Sequence, residues 1–285
     1  MKVLVTGATG FVAPHLMRRL AADGHEVVAL GHDQARIPTG DGITPVIVDL
    51  AAPLDDRAIP DFDVVVHLAQ ANVTFPDGAG DLFRVNVVST QELLDLARRR
   101  GASRFVYASS GSVYGLGEGA VAEDDPRRAD DFYGVTKRSG ELVVGAYRDH
   151  VAGAILRFFA PYGPGQTGRL IPGLIARVRG GEAVTLRGGG RPRMTPIYVD
   201  DAVEAIAHAL VSTDQLVLNV AGDETASIRD LGERIGAIVG REPVFEDAGV
   251  EASGDLIADN RRLHDLLGSR ALVPLDNGLR RTVEG

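Results

Sequence analysis

Short runs of β-branched residues alternate with longer amphipathic stretches through the first half of the chain, the pattern of βαβ units feeding a parallel sheet. Five strands are predicted: Lys2–Thr6, Glu26–Leu30, Val46–Val48, Val64–Leu68 and Arg104–Ala108. Several are almost continuously apolar, as strands covered on both faces must be. The helices predicted over Phe11–Asp23 and Leu82–Arg100 carry apolar residues three and four apart and stop at Gly24 and Gly101, where a left-handed cap is wanted. A longer helix, Asp131–Tyr147, leads to a strand at Ala154–Phe159, after which Pro161, Gly163, Pro164 and Gly165 break regular structure. From Arg169 the pattern gives a helix, a glycine turn at Gly188–Gly190, a strand at Ile197–Val199, a helix over Asp201–Leu210, a strand at Leu216–Val220, a helix over Ile228–Val239 and two C-terminal helical pieces. The expected fold is α/β: a doubly wound parallel sheet over residues 1–160, to which the chain returns around 195–220, and a smaller α/β lobe over 161–285.

Composition narrows the partners. The 285 residues are 45% hydrophobic and 24% charged, with a formal net charge of −9, which argues against nucleic acid and anionic membrane surfaces. With no cysteine, disulfides, thiolate nucleophiles and zinc-thiolate sites are excluded, and no metal is expected. A strand begins at Lys2 with no charged head or apolar signal segment before it, and no apolar run approaches the ~20 residues that span a bilayer, so a cytoplasmic location is expected.

Thr6-Gly7-Ala8-Thr9-Gly10-Phe11-Val12-Ala13 lies between the first strand and the first helix, where a glycine turn lets backbone N–H groups approach a pyrophosphate. This is the signature of a Rossmann-type dinucleotide domain, with Ala13 in place of a third glycine. Asp49, after the third strand, can meet an adenine edge or simply form a turn. An acid at the end of the second strand would bind the adenosine ribose, but Gly31 stands there, followed by His32, Asp33 and Arg36. That set favours NADP over NAD. Tyr133-Gly134-Val135-Thr136-Lys137 places a phenol and an ammonium four apart, on one helical face. Ser109-Ser110-Gly111-Ser112-Val113-Tyr114-Gly115 follows the fifth strand, on the sheet edge where α/β folds place ligands.

These segments, with His67-Leu68-Ala69, Asn86-Val87, Leu156–Gly165, Tyr198-Val199-Asp200-Asp201 and Leu267-Gly268, resemble the extended short-chain dehydrogenases/reductases, the NAD-dependent epimerase/dehydratase family, over nearly the whole chain. The resemblance implies that Tyr133 is the general acid/base, that Lys137 holds the nicotinamide ribose and lowers the phenol's pKa from ~10, and that Ser110 orients the same substrate oxygen. Ser109 and Ser112 read as caps. Cofactor contacts are expected along Gly7, Thr9, Gly10, Phe11 and Val12, at His32, Asp49 and Leu50, at Leu68, Ala69 and Gln70, and at Asn86, Tyr133 and Lys137. Ser110, Gly111, Ser112, Tyr162, Arg169 and Arg193 are the candidate substrate contacts.

The resemblance also implies a nucleotide-sugar substrate and a homodimer formed through Leu82–Arg100 and Asp131–Tyr147. Arg98-Arg99-Arg100 reads as a solvated helix end. Three departures bear on the reaction. Gly111 and Ser112 stand where dehydratases place Asp-Glu, which disfavours dehydration; Ala160 replaces an Asn, and Met194 an Arg, of the family's diphosphate site, with Arg191 or Arg193 nearby. Ketoreduction is favoured, epimerisation with retained NAD is the alternative, and a dinucleotide sensor is the non-enzymatic one.

Overall fold

The computed structural model describes residues 1–212, 214–251 and 254–285. The chain begins β1 (Lys2–Thr6), α1 (Val12–Ala22), β2 (Glu26–Gly31), β3 (Ile43–Ile47) and β4 (Val64–His67). There follow α2 (Ala79–Phe83), a π-helical turn (Arg84–Val88), α3 (Ser89–Arg99), β5 (Arg104–Ser110), β6 (Ala120–Val121), α4 (Phe132–Ala146), β7 (Ala152–Phe158) and β8 (Pro161–Tyr162). The remainder is α5 (Leu170–Gly180), β9 (Val184–Leu186), β10 (Ile197–Tyr198), α6 (Val199–Val211), β11 (Leu216–Val220), α7 (Ile228–Val239), β12 (Phe245–Asp247), β13 (Ile257–Ala258), α8 (Arg261–Leu267) and α9 (Leu275–Glu284).

Seven parallel strands form one sheet in the order β11-β7-β5-β4-β1-β2-β3. The order reverses between β1 and β4, so the loops after these two strands flank the crevice where ligands bind in such folds. Alternation along the strands divides the core. Val3, Val5, Val64, Val66 and Val106 pack with α1 and α6 on one face, while Leu4, Val65, Phe105 and Tyr107 pack with α3 on the other. Three two-stranded pairs, β8 with β10, β9 with β12 and β6 with β13, lie outside the main sheet.

Three expectations change. β3 runs over Ile43–Ile47 rather than Val46–Val48, because Pro45 is tolerated on an edge strand where its missing N–H costs no ladder bond. The single helix expected over Leu82–Arg100 is interrupted by the π-helical turn that carries Asn86. Arg100 is not a solvated helix end: it donates to Ile59 O (2.6 Å), Pro60 O (3.0 Å) and Asp56 O (2.9 Å), and its guanidinium lies 5.6 Å from the Phe62 ring.

Helix α4 is pinned to the sheet by a buried ion pair. Arg157 of β7 donates to Glu141 at 2.8 and 2.9 Å, and both side chains are almost wholly enclosed. Ser109 Oγ donates to Glu141 Oε1 at 2.6 Å, while Arg157 Nη1 reaches Tyr114 OH (2.6 Å) and Glu123 O (2.9 Å). Every group of this network has a partner, which is what makes a buried charge tolerable. Glu141→Leu strands the guanidinium and is expected to lower the unfolding free energy by about 3–5 kcal/mol. The urea midpoint measures this, and the double variant Glu141→Leu/Arg157→Met should recover much of the loss.

Candidate active site

The turn after β1 is built for close backbone approach. Gly7 has φ 70°, a conformation that L side chains resist, and a Cβ there would stand 2.8 Å from Ala69 N. Gly10 N donates to Gly7 O at 2.8 Å, and α1 then starts at Val12 with no side-chain cap, leaving first-turn N–H groups for an anion. Thr6 Oγ1 accepts from Ala69 N (3.2 Å) and meets His67 Nδ1 at 2.7 Å, so the ends of β1 and β4 are tied side by side. The His67 tautomer follows from its partners. Thr90 donates its hydroxyl proton to Asn86 O, so its oxygen must accept from His67 Nε2–H at 3.0 Å, and Nδ1 accepts from Thr6. Burial, then the nearby Lys137 charge, lowers the His67 pKa to about 3, which keeps the ring neutral.

The loop and its surroundings fit a dinucleotide. At the end of β2 the space is tight, since a Cβ on Gly31 would lie 3.0 Å from the Ile37 side chain and 3.1 Å from that of Thr9, and either would have to give by a few tenths of an ångström. Arg36 lies beside the loop, donating to Thr9 O at 3.3 Å. His32 is exposed on the same side, and Leu50, Leu68 and Ala69 line the strand ends. Asp49 takes the turn geometry, accepting from Ala51 N at 2.9 Å. Asn86 differs from expectation. Its side chain is fully buried, accepts from Ala71 N (3.1 Å) and donates to Thr136 Oγ1 (3.0 Å), so it braces the site from behind rather than facing a cofactor.

The N-terminal half of α4, capped by Asp131 Oδ1, presents Tyr133 and Lys137 to the crevice. Lys137 Nζ donates to Ala108 O at 2.7 Å and sits 5.3 and 5.9 Å from the ring centres of Tyr107 and Tyr133. Burial lowers its pKa to about 7, against the opposing pull of Glu141. Tyr133 is pushed up to about 12, first by burial, with the Ser110 hydroxyl and Arg169 drawing it back and Asp131 adding to the rise. Its OH donates to Gln70 Oε1 at 2.8 Å. Ser110 ends β5 and caps the turn Gly111–Tyr114, accepting from Ser112 N at 3.1 Å. The capping read for Ser109 and Ser112 therefore falls to Ser110, because Ser109 is committed to Glu141.

The candidate substrate residues divide. Ser112 lines a cavity of about 300 Å³ with Gly115, Leu116, Asp130, Asp131 and Leu256. At Gly111 a Cβ would meet the Phe159 ring at 2.8 Å, so no side chain fits there. Arg169 precedes α5 and donates to Asn72 Oδ1 across the crevice. Tyr162 does not line the cleft: its ring is buried edge-on to Tyr198 at 5.7 Å, and its OH donates to Leu275 O. Arg193 pairs with the buried Asp255 through bonds of 2.8 and 3.0 Å, and its side chain remains half-exposed. Met194 is buried and pairs through its backbone with Ala226. Gln70, expected as a cofactor contact, is here the partner of the Tyr133 phenol; Glu141 and Asn72 are site residues the sequence reading missed, and of these only Glu141 had a signal, its four-residue spacing from Lys137.

Residues 3–221 match the NAD dependent epimerase/dehydratase family. The chain is 31% identical to dTDP-4-dehydro-6-deoxy-D-allose reductase of Streptomyces bikiniensis, over 98% of this chain and 94% of the relative. It is also 31% identical to UDP-glucose 4-epimerase of Mycolicibacterium smegmatis, over 100% and 98%. Its fold superimposes on UDP-glucuronic acid 4-epimerase from Bacillus cereus, solved with UDP-glucuronic acid and NAD, with a TM-score of 0.90, 28% identity and coverage of 100% and 98%.

Two predictions follow from the geometry. Ala160 is the one non-glycine residue with positive φ (43°) among those described, so Ala160→Gly should stabilise the fold by about 0.5–1 kcal/mol, read as a rise in Tm. For Lys137 the folded pKa near 7 lies below the unfolded value of ~10.4, so in that window the unfolded chain holds a proton that the folded one lacks, and stability rises with pH. Lys137→Met should therefore gain more stability relative to the parent at pH ~6 than at pH ~9.

Proposed function

The chain belongs to the NAD dependent epimerase/dehydratase family, and from that premise we propose that it is an NADP-dependent ketoreductase acting on a keto-sugar carried by a nucleotide. The observation that carries this reading is the cofactor end of β2. Gly31 offers no acid to bind an adenosine ribose, while Arg36 donates to Thr9 O of the glycine loop and brings to that end of β2 a guanidinium, the kind of group that accepts a 2′-phosphate. An exchangeable NADPH suits net reduction. When bound, its nicotinamide supplies the hydride to the carbonyl carbon.

The protein's own groups handle the oxygen. Tyr133 gives its phenolic proton to the carbonyl oxygen as that oxygen gains charge, Ser110 orients the same atom, and Lys137 stabilises the resulting phenolate until solvent reprotonates it. Dehydration is disfavoured because Gly111 cannot carry the second acid that such a reaction needs. Epimerisation with retained NAD is the second reading, favoured by the NAD and UDP-glucuronic acid named with the Bacillus cereus neighbour. A homodimer is also proposed, with Leu142 of α4 (68% exposed) and Phe83 of α2 (49%) supplying apolar surface on the two helices expected to pair.

The reading is tested by following NADPH and NADH consumption with nucleoside-diphosphate 4-keto-sugars, beside an assay for UDP-glucose and UDP-galactose interconversion. NADPH-dependent reduction, lowered about 10²- to 10⁴-fold in Tyr133→Phe, is the expected outcome. Arg36→Ala should raise KM for NADPH about tenfold and leave that for NADH little changed, consistent with the loss of one charge-assisted hydrogen bond. Interconversion without net cofactor turnover replaces the reductase reading with the epimerase.

A further inference from the structure

A chain of side-chain hydrogen bonds runs from α5 to the catalytic phenol. Arg169 Nη2 donates to Asn72 Oδ1, Gln70 Nε2 donates to the same Oδ1 at 3.4 Å, and Tyr133 OH donates to Gln70 Oε1 at 2.8 Å. The direction of these bonds is fixed from one end. A guanidinium only donates, so Asn72 must turn its oxygen toward Arg169. That oxygen, with two lone pairs, is also the atom facing Gln70, so Gln70 must present its NH₂ to Asn72 and its carbonyl to Tyr133. Flipping either amide would set donor against donor or oxygen against oxygen.

We propose that Arg169 is a positioning residue that, through Asn72 and Gln70, holds Tyr133 as a hydrogen-bond donor, and so as the acid required to protonate a carbonyl oxygen. The relay rests on Tyr133 being the acid/base of the proposed function, and it deepens that reading toward reduction: oxidation of an alcohol needs the phenolate, which a carbonyl acceptor opposes. Gln70 Oε1 also occupies a place that a substrate oxygen must take, at the 2.6–3.2 Å reach of a proton donor. It therefore yields to substrate while leaving the proton in place beforehand.

Other charged and polar groups face the phenol. Lys137 and Asp131 belong to its own helix, Tyr107 and Ser110 to β5, and Arg169 to the segment before α5. The charge of Arg169 acts through space in the opposite sense, favouring phenolate, which allows the two effects to be separated. Asn72→Ala cuts the relay and keeps the charge. Gln70 is then free to rotate and offer its NH₂ to a phenolate.

Isotope-labelled tyrosine NMR titration of the protein without added cofactor, with Tyr133→Phe to assign one signal among six tyrosines, gives the phenol's pKa whether or not any carbonyl is reduced. The relay predicts that Asn72→Ala lowers the Tyr133 pKa by about one unit, while Asn72→Asp, an acceptor-only side chain, keeps it at or above the parent value. An unchanged or raised pKa in Asn72→Ala, or an equal fall in both variants, overturns the relay. A relay confirmed by NMR in a protein that reduces no keto-sugar would overturn the functional reading alone.

Discussion

The ion pair between Arg157 and Glu141 is the constraint on which the site depends. Glu141 lies two helical turns beyond Tyr133 and one beyond Lys137, so fixing its carboxylate to β7 fixes the rotation of α4 against the sheet. The same guanidinium holds Tyr114, whose hydroxyl donates to Asn219 of β11, while Asn219 N donates to Glu123. Helix, sheet edge and the connection between β5 and α4 thus share one buried polar network. Its cost is desolvation of two charges, and its return is orientational: an apolar contact of equal area would hold the helix but not its angle. Lys137 feels the arrangement directly, since the Glu141 carboxylate supports its charge against burial, alongside the Ala108 carbonyl that accepts from Nζ.

A second hub closes the cofactor side. Thr6, His67, Thr90 and Asn86 link the ends of β1 and β4 to the π-helical turn, and Asn86 carries the linkage on to Thr136 of α4. The wide turn over Arg84–Val88 is part of this construction, because Asn86 O accepts from Thr90 while its amide spans from Ala71 to Thr136. The neutral His67 serves as a fixed donor and acceptor in that chain rather than as a titrating base.

Much of this was legible in the sequence because it rests on periodicity and position. β1, β11 and α7 fall on the expected bounds, since apolar runs and glycine punctuation mark them. Tyr133 and Lys137 were readable because i and i+4 share a helix face whatever the tertiary fold. What escaped depends on chain segments far apart: nothing local to Arg193, a candidate substrate contact, reveals that Asp255, sixty-two residues on, is buried against it. Tyr162 reads either as a cleft residue or as one packed within a proline–glycine turn, and only the tertiary fold shows its ring claimed by the core beside Tyr198. The two-residue strands β6, β8 and β13 are too short to show any period.

The departures from the pattern that the resemblance implies fall on both sides of the site, with Ala13 and Gly31 beside the dinucleotide loop and Gly111, Ala160 and Met194 elsewhere. Around the glycine loop, the β4 end and the Tyr133–Lys137 pair, the parts needed to hold a dinucleotide and move a proton are all present. Gly111 follows Ser110 directly, while Ala160, Met194 and the Arg193–Asp255 pair belong to later segments of the chain. Ala160 keeps a positive φ without the side-chain amide that makes such a conformation easy. The half-exposed Arg193 guanidinium is paired with the buried Asp255. A protein that had lost its chemistry would be expected to relax at Tyr133 and Lys137 first. The chain keeps both residues beside the dinucleotide loop, and its departures from the pattern touch the ribose end of the cofactor site as well as the substrate side.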